Sequence, residues 1–282
     1  MDKKKSFNEL KSKGQSNRLS KQHLESGGVE GIFGDAARKH DGDIKPVIDA
    51  VTQALQKEFP KLKFRTRSSI PKSEIHERLN ELDSRLGVKL FVPSASIRPD
   101  GKVTEVQDSE GRWRIILVAE CKYQGKDIEN VQSGKRTPVM ETRGQYVMPA
   151  GNAIERVHKN IQEIRNLMIS EDHFPYVVFL QGSNFVTEPI DLHWPDGTLV
   201  RIIPSDANLN RIDRVTASNF GMDINENHCK NLVVRRNGKD HVLQVTSIYA
   251  QAEEFTSEKM FDILLQTALT SLEVLADDLP EI

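Results

Sequence analysis

The chain has 282 residues, 37% of them hydrophobic and 28% charged, with 39 Lys and Arg against 41 Asp and Glu and only two cysteines. That length is enough for a buried core in one large domain or two small ones, and two cysteines, Cys121 and Cys229, cannot build a disulfide framework or a structural zinc site. No run approaches the ~18 apolar residues of a membrane span, and the polar start Met1-Asp2-Lys3-Lys4-Lys5 has no apolar stretch behind it, so the expectation is a cytoplasmic protein with no membrane partner.

The net charge of −2 hides an uneven distribution: Ala252 to Ile282 carries −7, which leaves +5 on the rest. Lys3, Lys4, Lys5, Lys11, Lys13, Arg18 and Lys21 give residues 1–25 the look of a basic flexible arm, a solvated tail that can also contact phosphates. Residues 26–282 then read as one domain, because no period of 20–50 residues repeats and no low-complexity linker divides them. Helical patterns over Val29 to Lys39 and Ile44 to Glu58 flank the turn-like Asp41-Gly42-Asp43, and a third helix follows Pro71 and runs to Leu86, with Gly87 as its stop signal. Leu90 to Val92, Ser96 to Arg98, Val103 to Val106 and Arg112 to Ala119 read as strands. The last contains Ile115-Ile116-Leu117-Val118, a continuous apolar run of the kind buried on both faces.

Tyr123 to Ala150 holds too many glycines and prolines for a regular element. Beyond it, Ile154, Val157, Ile161, Ile164 and Met168 recur at spacings of three and four, an amphipathic helix. Tyr176 to Leu180 is a buried strand, Trp194 to Ile203 a hairpin around Pro195-Asp196-Gly197, and Leu209 to Ser218 a short helix. Val233 to Arg236 and His241 to Thr246 flank Asn237-Gly238, a strong two-residue hairpin signal, and a last helix covers Ser257 to Leu275. This order predicts an α/β fold with a central mixed sheet and helices on both faces.

Two segments carry candidate chemistry. Glu120-Cys121-Lys122 closes the apolar strand, and because strand side chains alternate, Glu120 and Lys122 share one face while Cys121 takes the other. Asp100, in Pro99-Asp100, ends a preceding strand; brought beside Glu120, the two carboxylates suit Mg2+, a hard ion that takes oxygen ligands and commonly only one or two from protein side chains. Lys122 beside them could orient or help activate a water attacking a phosphate. Acid-x-Lys triplets are frequent here, and on the triplet alone a surface salt bridge would serve. A carboxylate and an ammonium emerging from a buried strand, however, are costly unless paired or used. On the amphipathic helix, opposite the apolar stripe, lie Asn152, Arg156, Lys159 and Glu163; Asn suits an adenine edge, Arg a purine edge, and the helix N-terminus adds a positive dipole end. Arg211 and Arg214, three apart, repeat the theme. A solvated polar face would have the same composition, but with the metal-type site these faces suggest sequence-reading DNA cleavage.

Ile97-Arg98-Pro99-Asp100-Gly101, Val118-Ala119-Glu120-Cys121-Lys122-Tyr123-Gln124-Gly125-Lys126-Asp127 and Ala150-Gly151-Asn152-Ala153-Ile154-Glu155-Arg156 together resemble the EcoRI restriction endonuclease family, within the PD-(D/E)xK nuclease superfamily. Gly31-Ile32-Phe33-Gly34-Asp35, His173-Phe174-Pro175-Tyr176-Val177 and Leu209-Asn210-Arg211-Ile212-Asp213-Arg214 extend the likeness from about Gln15 to the last helix. The resemblance implies a homodimeric, Mg2+-dependent type II enzyme that cuts double-stranded DNA at a palindromic hexamer, GAATTC after the G, and a cognate DNA methyltransferase sharing that target. It implies Asp100, Glu120 and Lys122 as catalytic residues, with Asp100, Glu120 and the Cys121 backbone carbonyl as metal ligands. It also implies Met148, Pro149, Gly151, Asn152, Ala153 and Arg156 in a major-groove segment, Arg211 and Arg214 as further recognition residues, Lys159 and Asn160 on phosphates, and Glu155 as a buttress across the dimer. Cys121 and Pro149 stand where the family has alanine, and Tyr123 where it has histidine. Because proline has no N–H, the outer base pair is where readout is expected to differ. A repair nuclease guided by DNA structure and a silent DNA-binding protein are the competing expectations.

Overall fold

In the computed structural model, which describes residues 35–87, 90–136, 151–204, 206–215, 218–220 and 226–280, the chain runs α1 (Asp35–Glu58), β1 (Phe64–Arg67), β2 (Ile70–Pro71), α2 (Lys72–Leu82), β3 (Ser96–Ile97), β4 (Val103–Gln107), β5 (Trp113–Tyr123) and α3 (Asp127–Gln132). It continues through α4 (Gly151–Leu167), β6 (Tyr176–Gln181), β7 (Ile190–His193), β8 (Leu199–Ile202), α5 (Asp206–Ile212), β9 (Ser218–Phe220), α6 (Glu226–Cys229), β10 (Leu232–Arg236), β11 (Lys239–Leu243), β12 (Thr246–Gln251) and α7 (Ser257–Val274). Six strands form the central sheet in the order β1-β4-β5-β6-β12-β9. β1, β4 and β5 are antiparallel to one another in turn, whereas β5 to β6, β6 to β12 and β12 to β9 are parallel, so the sheet is mixed and changes character at β5.

Both faces are covered. On one, Ile44, Val47, Ile48, Val51 and Leu55 of α1 and Met260, Leu264, Ala268 and Leu272 of α7 pack on Leu117, Ala119, Cys121, Val177 and Phe179. On the other, Ile75 of α2 and Ile154, Val157, Ile161 and Ile164 of α4 pack on Val118, Val178, Leu180 and Ile248. The expected α/β architecture with helices on both faces is therefore what the chain forms. Among the described residues no helix is long and apolar enough to cross a membrane.

Several boundaries differ from expectation. The turn expected at Asp41-Gly42-Asp43 is absorbed into α1, which also accommodates Pro46. An interior glycine costs about 1 kcal/mol and an interior proline about 3, but each large apolar side chain buried returns about 1.5–3 kcal/mol, and α1 buries five at helical spacing. α2 ends at Leu82, four residues early. Leu90 to Val92 forms no ladder; Phe91 is fully exposed. The stretch after Tyr123, expected to be irregular, contains α3, whose Val131 packs with Leu192, Trp194, Val200 and Ile202 of the β7–β8 hairpin. That hairpin turns at Gly197 (φ 85°) with Trp194 in the turn, not in the strand. β10 and β11 do turn on Asn237 (φ 53°) and Gly238 (φ 72°), both left-handed, as the Asn-Gly signal requires. The expected helix over Leu209 to Ser218 is displaced: α5 stops at Ile212 and Ser218 opens β9. β12 is a central strand that the sequence pattern does not predict beyond Thr246, its first residue.

Candidate active site

β5 runs past Ala119, where its apolar pattern ends, as far as Tyr123, because β6 continues to pair with it in parallel from Val118 to Tyr123. Alternation along this extension does what the sequence suggests. Cys121 is buried in the α1–α7 core, while Glu120 and Lys122 project to the opposite face, under α4.

On the β4 side the ladder to β5 ends at Val103 and Val118, and the chain turns away through Pro99-Asp100-Gly101-Lys102. This turn is fastened to β5 by the Gly101 N–H, which donates to the Ala119 carbonyl at 3.0 Å, and it closes with Lys102 in the left-handed region at φ 73°. A side chain at Gly101 would meet the Ala119 carbonyl oxygen at 2.8 Å, so only glycine permits this approach. The Lys102 ammonium pairs with Asp49 of α1, tying the turn from its other end. Asp100 is thereby held over the Glu120 end of β5.

The Lys122 ammonium sits between the two carboxylates: it is ion-paired with Asp100 Oδ2 and lies 3.2 Å from Glu120 Oε1. The Glu120 side chain has no solvent exposure, while Lys122 keeps 11% and Asp100 24%, so the cluster opens to solvent on its Asp100 side. Two further groups grip Glu120. The Tyr176 hydroxyl, from the first residue of β6, donates to Oε2 at 2.6 Å, and the Asn160 amide of α4 donates to Oε1 at 3.1 Å. Burial is the main force on Glu120 and pushes its pKa up; the Lys122 ammonium works against this, the Asp100 carboxylate adds to it, and the Tyr176 hydrogen bond opposes it. Tyr176 is pushed well above the ordinary phenol range by burial and by the adjacent Glu120 carboxylate.

The donor set can be tested for a metal. Among the described residues no three His, Cys, Asp or Glu side chains come together as a metal cluster, which leaves two carboxylates and main-chain oxygens. Carbonyls two residues apart leave the same edge of a strand, so the Cys121 carbonyl projects from the edge where Ala119 meets the Asp100 turn. Hard oxygen donors, few from side chains and partly open to water, fit Mg2+ and not a softer ion.

α4 carries Glu155, Arg156 and Lys159 exposed, Ala153 partly buried, and Asn160 beside the buried stripe, three residues after Val157. Glu163, grouped with this polar face from its spacing, instead pairs with Lys72 at the start of α2 and belongs to the packing of α2 on α4. Glu155 Oε1 lies 3.7 Å from Arg214 Nη1, which links α4 to the residues just beyond α5. Gly151 and Asn152 open the α4 backbone and Arg211 lies within α5. Met148 and Pro149, as well as the side chains of Asn152 and Arg211, lie outside the described residues. Sequence reasoning missed Tyr176, hidden in an apolar strand run. It placed Asn160 on phosphate, although its amide here faces Glu120.

A mixed sheet that delivers an Asp, a Glu and a Lys to one point, beside a helix with an exposed basic face, defines a nuclease-type hydrolase. The chain belongs to the EcoRI restriction endonuclease family: the model of that family, described as restriction endonuclease EcoRI, matches residues 26–281. The chain is 51% identical to the type II restriction enzyme EcoRI of Escherichia coli over 275 residues, covering 96% of this chain and 98% of that one. It is 50% identical to the type II restriction enzyme RsrI of Cereibacter sphaeroides over 273 residues, covering 97% and 98%. Membership makes it an enzyme, a site-specific deoxyribonuclease of the type II restriction class.

Proposed function

We propose that this enzyme is a Mg2+-dependent homodimer that cuts both strands of GAATTC after the G, leaving 5′ overhangs. The observation that carries the reading is the Lys122 ammonium between the Asp100 and Glu120 carboxylates, at the end of a buried strand, in a chain half identical over nearly its whole length to an enzyme named EcoRI. Asp100, Glu120 and the Cys121 carbonyl would hold Mg2+. When bound, the ion supplies charge stabilisation at the phosphate and a more acidic water.

The chain's own groups have separable tasks. Asp100 and Glu120 present negative charge at one point, and Lys122 keeps the pair compatible in the protein before a metal enters. Once a phosphodiester is seated, the Lys122 ammonium orients the water whose oxygen attacks phosphorus, and it offsets charge growing on the phosphoryl oxygens as the bond to the leaving oxygen breaks. Met148, Pro149, Gly151, Asn152, Ala153, Arg156, Arg211 and Arg214 read bases, Lys159 and Asn160 meet phosphates, and Glu155 buttresses recognition across the dimer. The exposure of Arg156, Lys159 and Arg214 supports this assignment. Two-fold symmetry follows from a palindromic target, with one strand cut by each subunit. The family match, beginning at residue 26, supports reading 1–25 as an arm and 26–282 as the catalytic and recognition unit. The enzyme works in the cytoplasm, where a cognate methyltransferase protects the same sequence.

Digesting a mixed-sequence plasmid with Mg2+ and sequencing the ends tests the reading, with Glu120→Gln and Lys122→Ala as controls. Ends fixed at GAATTC, lost in both variants, are the expected result. Structure-dependent ends, no cutting, or ordinary turnover by either variant would overturn it.

A further inference from the structure

We infer that Tyr176 and Asn160 are positioning residues which clamp the Glu120 carboxylate from two sides and so set the affinity of the site for its divalent cation; the inference rests on the function proposed above. The terminal torsion of a glutamate side chain is broad and nearly two-fold, so nothing within Glu120 decides which oxygen faces Asp100. The surroundings decide it. Tyr176 donates to Oε2 at 2.6 Å, while Asn160 at 3.1 Å and Lys122 at 3.2 Å both meet Oε1. Oε2 is therefore anchored on the β6 side, and Oε1 is turned toward the lysine that also pairs with Asp100.

The two clamps come from different elements, and each is itself fixed. Tyr176 pairs with Val118 in the parallel ladder while Glu120 pairs with Val178, so the phenol stands on the same face as Glu120, one same-face step back along the strands, and reaches forward to it. Its ring is buried and lies against Phe174, with centroids 5.8 Å apart and planes 22° from parallel. Asn160 is carried by α4, whose Val157 and Ile161 on either side of it are fully buried against the sheet. The Tyr176 ring, buried and stacked, cannot follow a carboxylate that rotates, and Asn160 is held by the seating of α4. A metal ligand fixed by outer hydrogen bonds binds without first being ordered, and loss of such a partner typically costs 10–100-fold in metal affinity or activity.

Tyr176→Phe keeps the ring, its stacking and its burial, and deletes only the donor. The measurement is the Ca2+ concentration that half-maximally strengthens binding of a GAATTC duplex, followed by fluorescence anisotropy, beside metal-free binding and the Mg2+ dependence of single-turnover cleavage. In Tyr176→Phe both metal midpoints should rise about 10-fold or more, metal-free duplex binding should stay within about twofold, and excess Mg2+ should restore most of the cleavage rate. Asn160→Ala supplies a second test should Tyr176→Phe fail to fold. A clamp predicts the same shift in metal midpoint, whereas a residue that served phosphate alone would weaken metal-free binding and leave the midpoint unmoved. Unmoved midpoints in these variants, whatever their thermal stability, would overturn the inference. If Glu120→Gln loses cleavage while Tyr176→Phe keeps the parent midpoints, the inference alone falls; if Glu120→Gln cuts at the parent midpoint, the proposed active site falls with it.

Discussion

Gly101→Ala probes how closely the Asp100 turn must sit on β5. The added methyl would lie 2.8 Å from the Ala119 carbonyl oxygen and 3.0 Å from the Ala119 side chain, where ordinary contact begins at 3.4 Å. The obstructing atom is backbone in a strand paired with β6, so the turn must give way, by roughly 0.6 Å at the carbonyl alone. That movement stretches the Gly101 N–H bond to Ala119, now 3.0 Å, and carries Asp100 away from Lys122 and Glu120. A misplacement of about 1 Å in reacting groups can cost about 100-fold in rate, so a shift of this size should lower single-turnover cleavage about 10- to 100-fold. Stability should drop by only about 1–3 kcal/mol, the usual penalty for overpacking at one point. Metal-free binding to the cognate duplex should hardly change, because the turn is not part of the recognition face. Rapid-quench cleavage, anisotropy and thermal unfolding of the same preparation separate the three effects. Cleavage within about threefold of the parent would show that Asp100 need not be held at this distance, and the positional argument would fail.

Asp127 is buried at the start of α3, and burial, reinforced by the Glu129 carboxylate, pushes its pKa up to about 7 from an ordinary value of 3.8. The folded form then keeps a proton that the unfolded chain gives up, so this contribution to stability is full at low pH and is lost as pH rises from about 4 to about 7. A displacement of that size corresponds to at most about 4 kcal/mol, and relaxation of the site should leave about 2. Asp127→Asn should remove that slope, seen as a smaller fall in Tm between about pH 5 and pH 8; an unchanged slope would refute the assignment. Arg156→Ala should cost about 1–3 kcal/mol of discrimination against wrong bases, read from cleavage of cognate and single-mismatch duplexes side by side. Lys159→Ala should weaken binding to all sequences alike and reduce the salt slope by about one, measured by titration over a range of KCl. Sedimentation at working concentration should show an active dimer, and an active monomer would exclude the two-fold arrangement. Cleavage profiled across all single-base variants of GAATTC should relax first at the outer G·C pair, where Pro149 removes a donor, and loss at the central A·T pairs first would contradict the recognition segment.

The acid and base groups were legible because their signal is local: an apolar strand with Glu and Lys two apart states which face they share before any partner is known. Asp100 could be added because Pro-Asp-Gly marks a strand end, although the contact of Gly101 with Ala119 that sets its distance is a tertiary fact. Tyr176 was not legible, since a tyrosine opening the run Tyr176-Val177-Val178-Phe179-Leu180 reads as core, and its hydroxyl acquires a purpose only when β6 is laid parallel to β5. Glu163 misled for the opposite reason, a charge at the right helical spacing whose partner, Lys72, is far away in sequence. The break expected at Asp41-Gly42-Asp43 failed because local propensity was outweighed by five buried side chains of α1. β12 was missed because its apolar run, Ile248-Tyr249-Ala250, is only three residues long between Ser247 and Gln251, and its interior place in the sheet comes from pairing on both edges.

The change of strand direction at β5 bears on how much of the chain must be in place before the site is complete. The ladder to antiparallel β4 ends at Val118 of β5, so the segment bearing Glu120 and Lys122 has its ladder only to β6, which follows α4 in the chain. The Asp100 turn is fastened to β5 by local contacts, but the Glu120 and Lys122 segment is completed as a strand only by β6. A chain that ends before Tyr176 lacks both the ladder partner of Glu120 and Lys122 and the hydroxyl that holds Glu120, so such a fragment should not cleave, which a plasmid digest with the truncated chain checks.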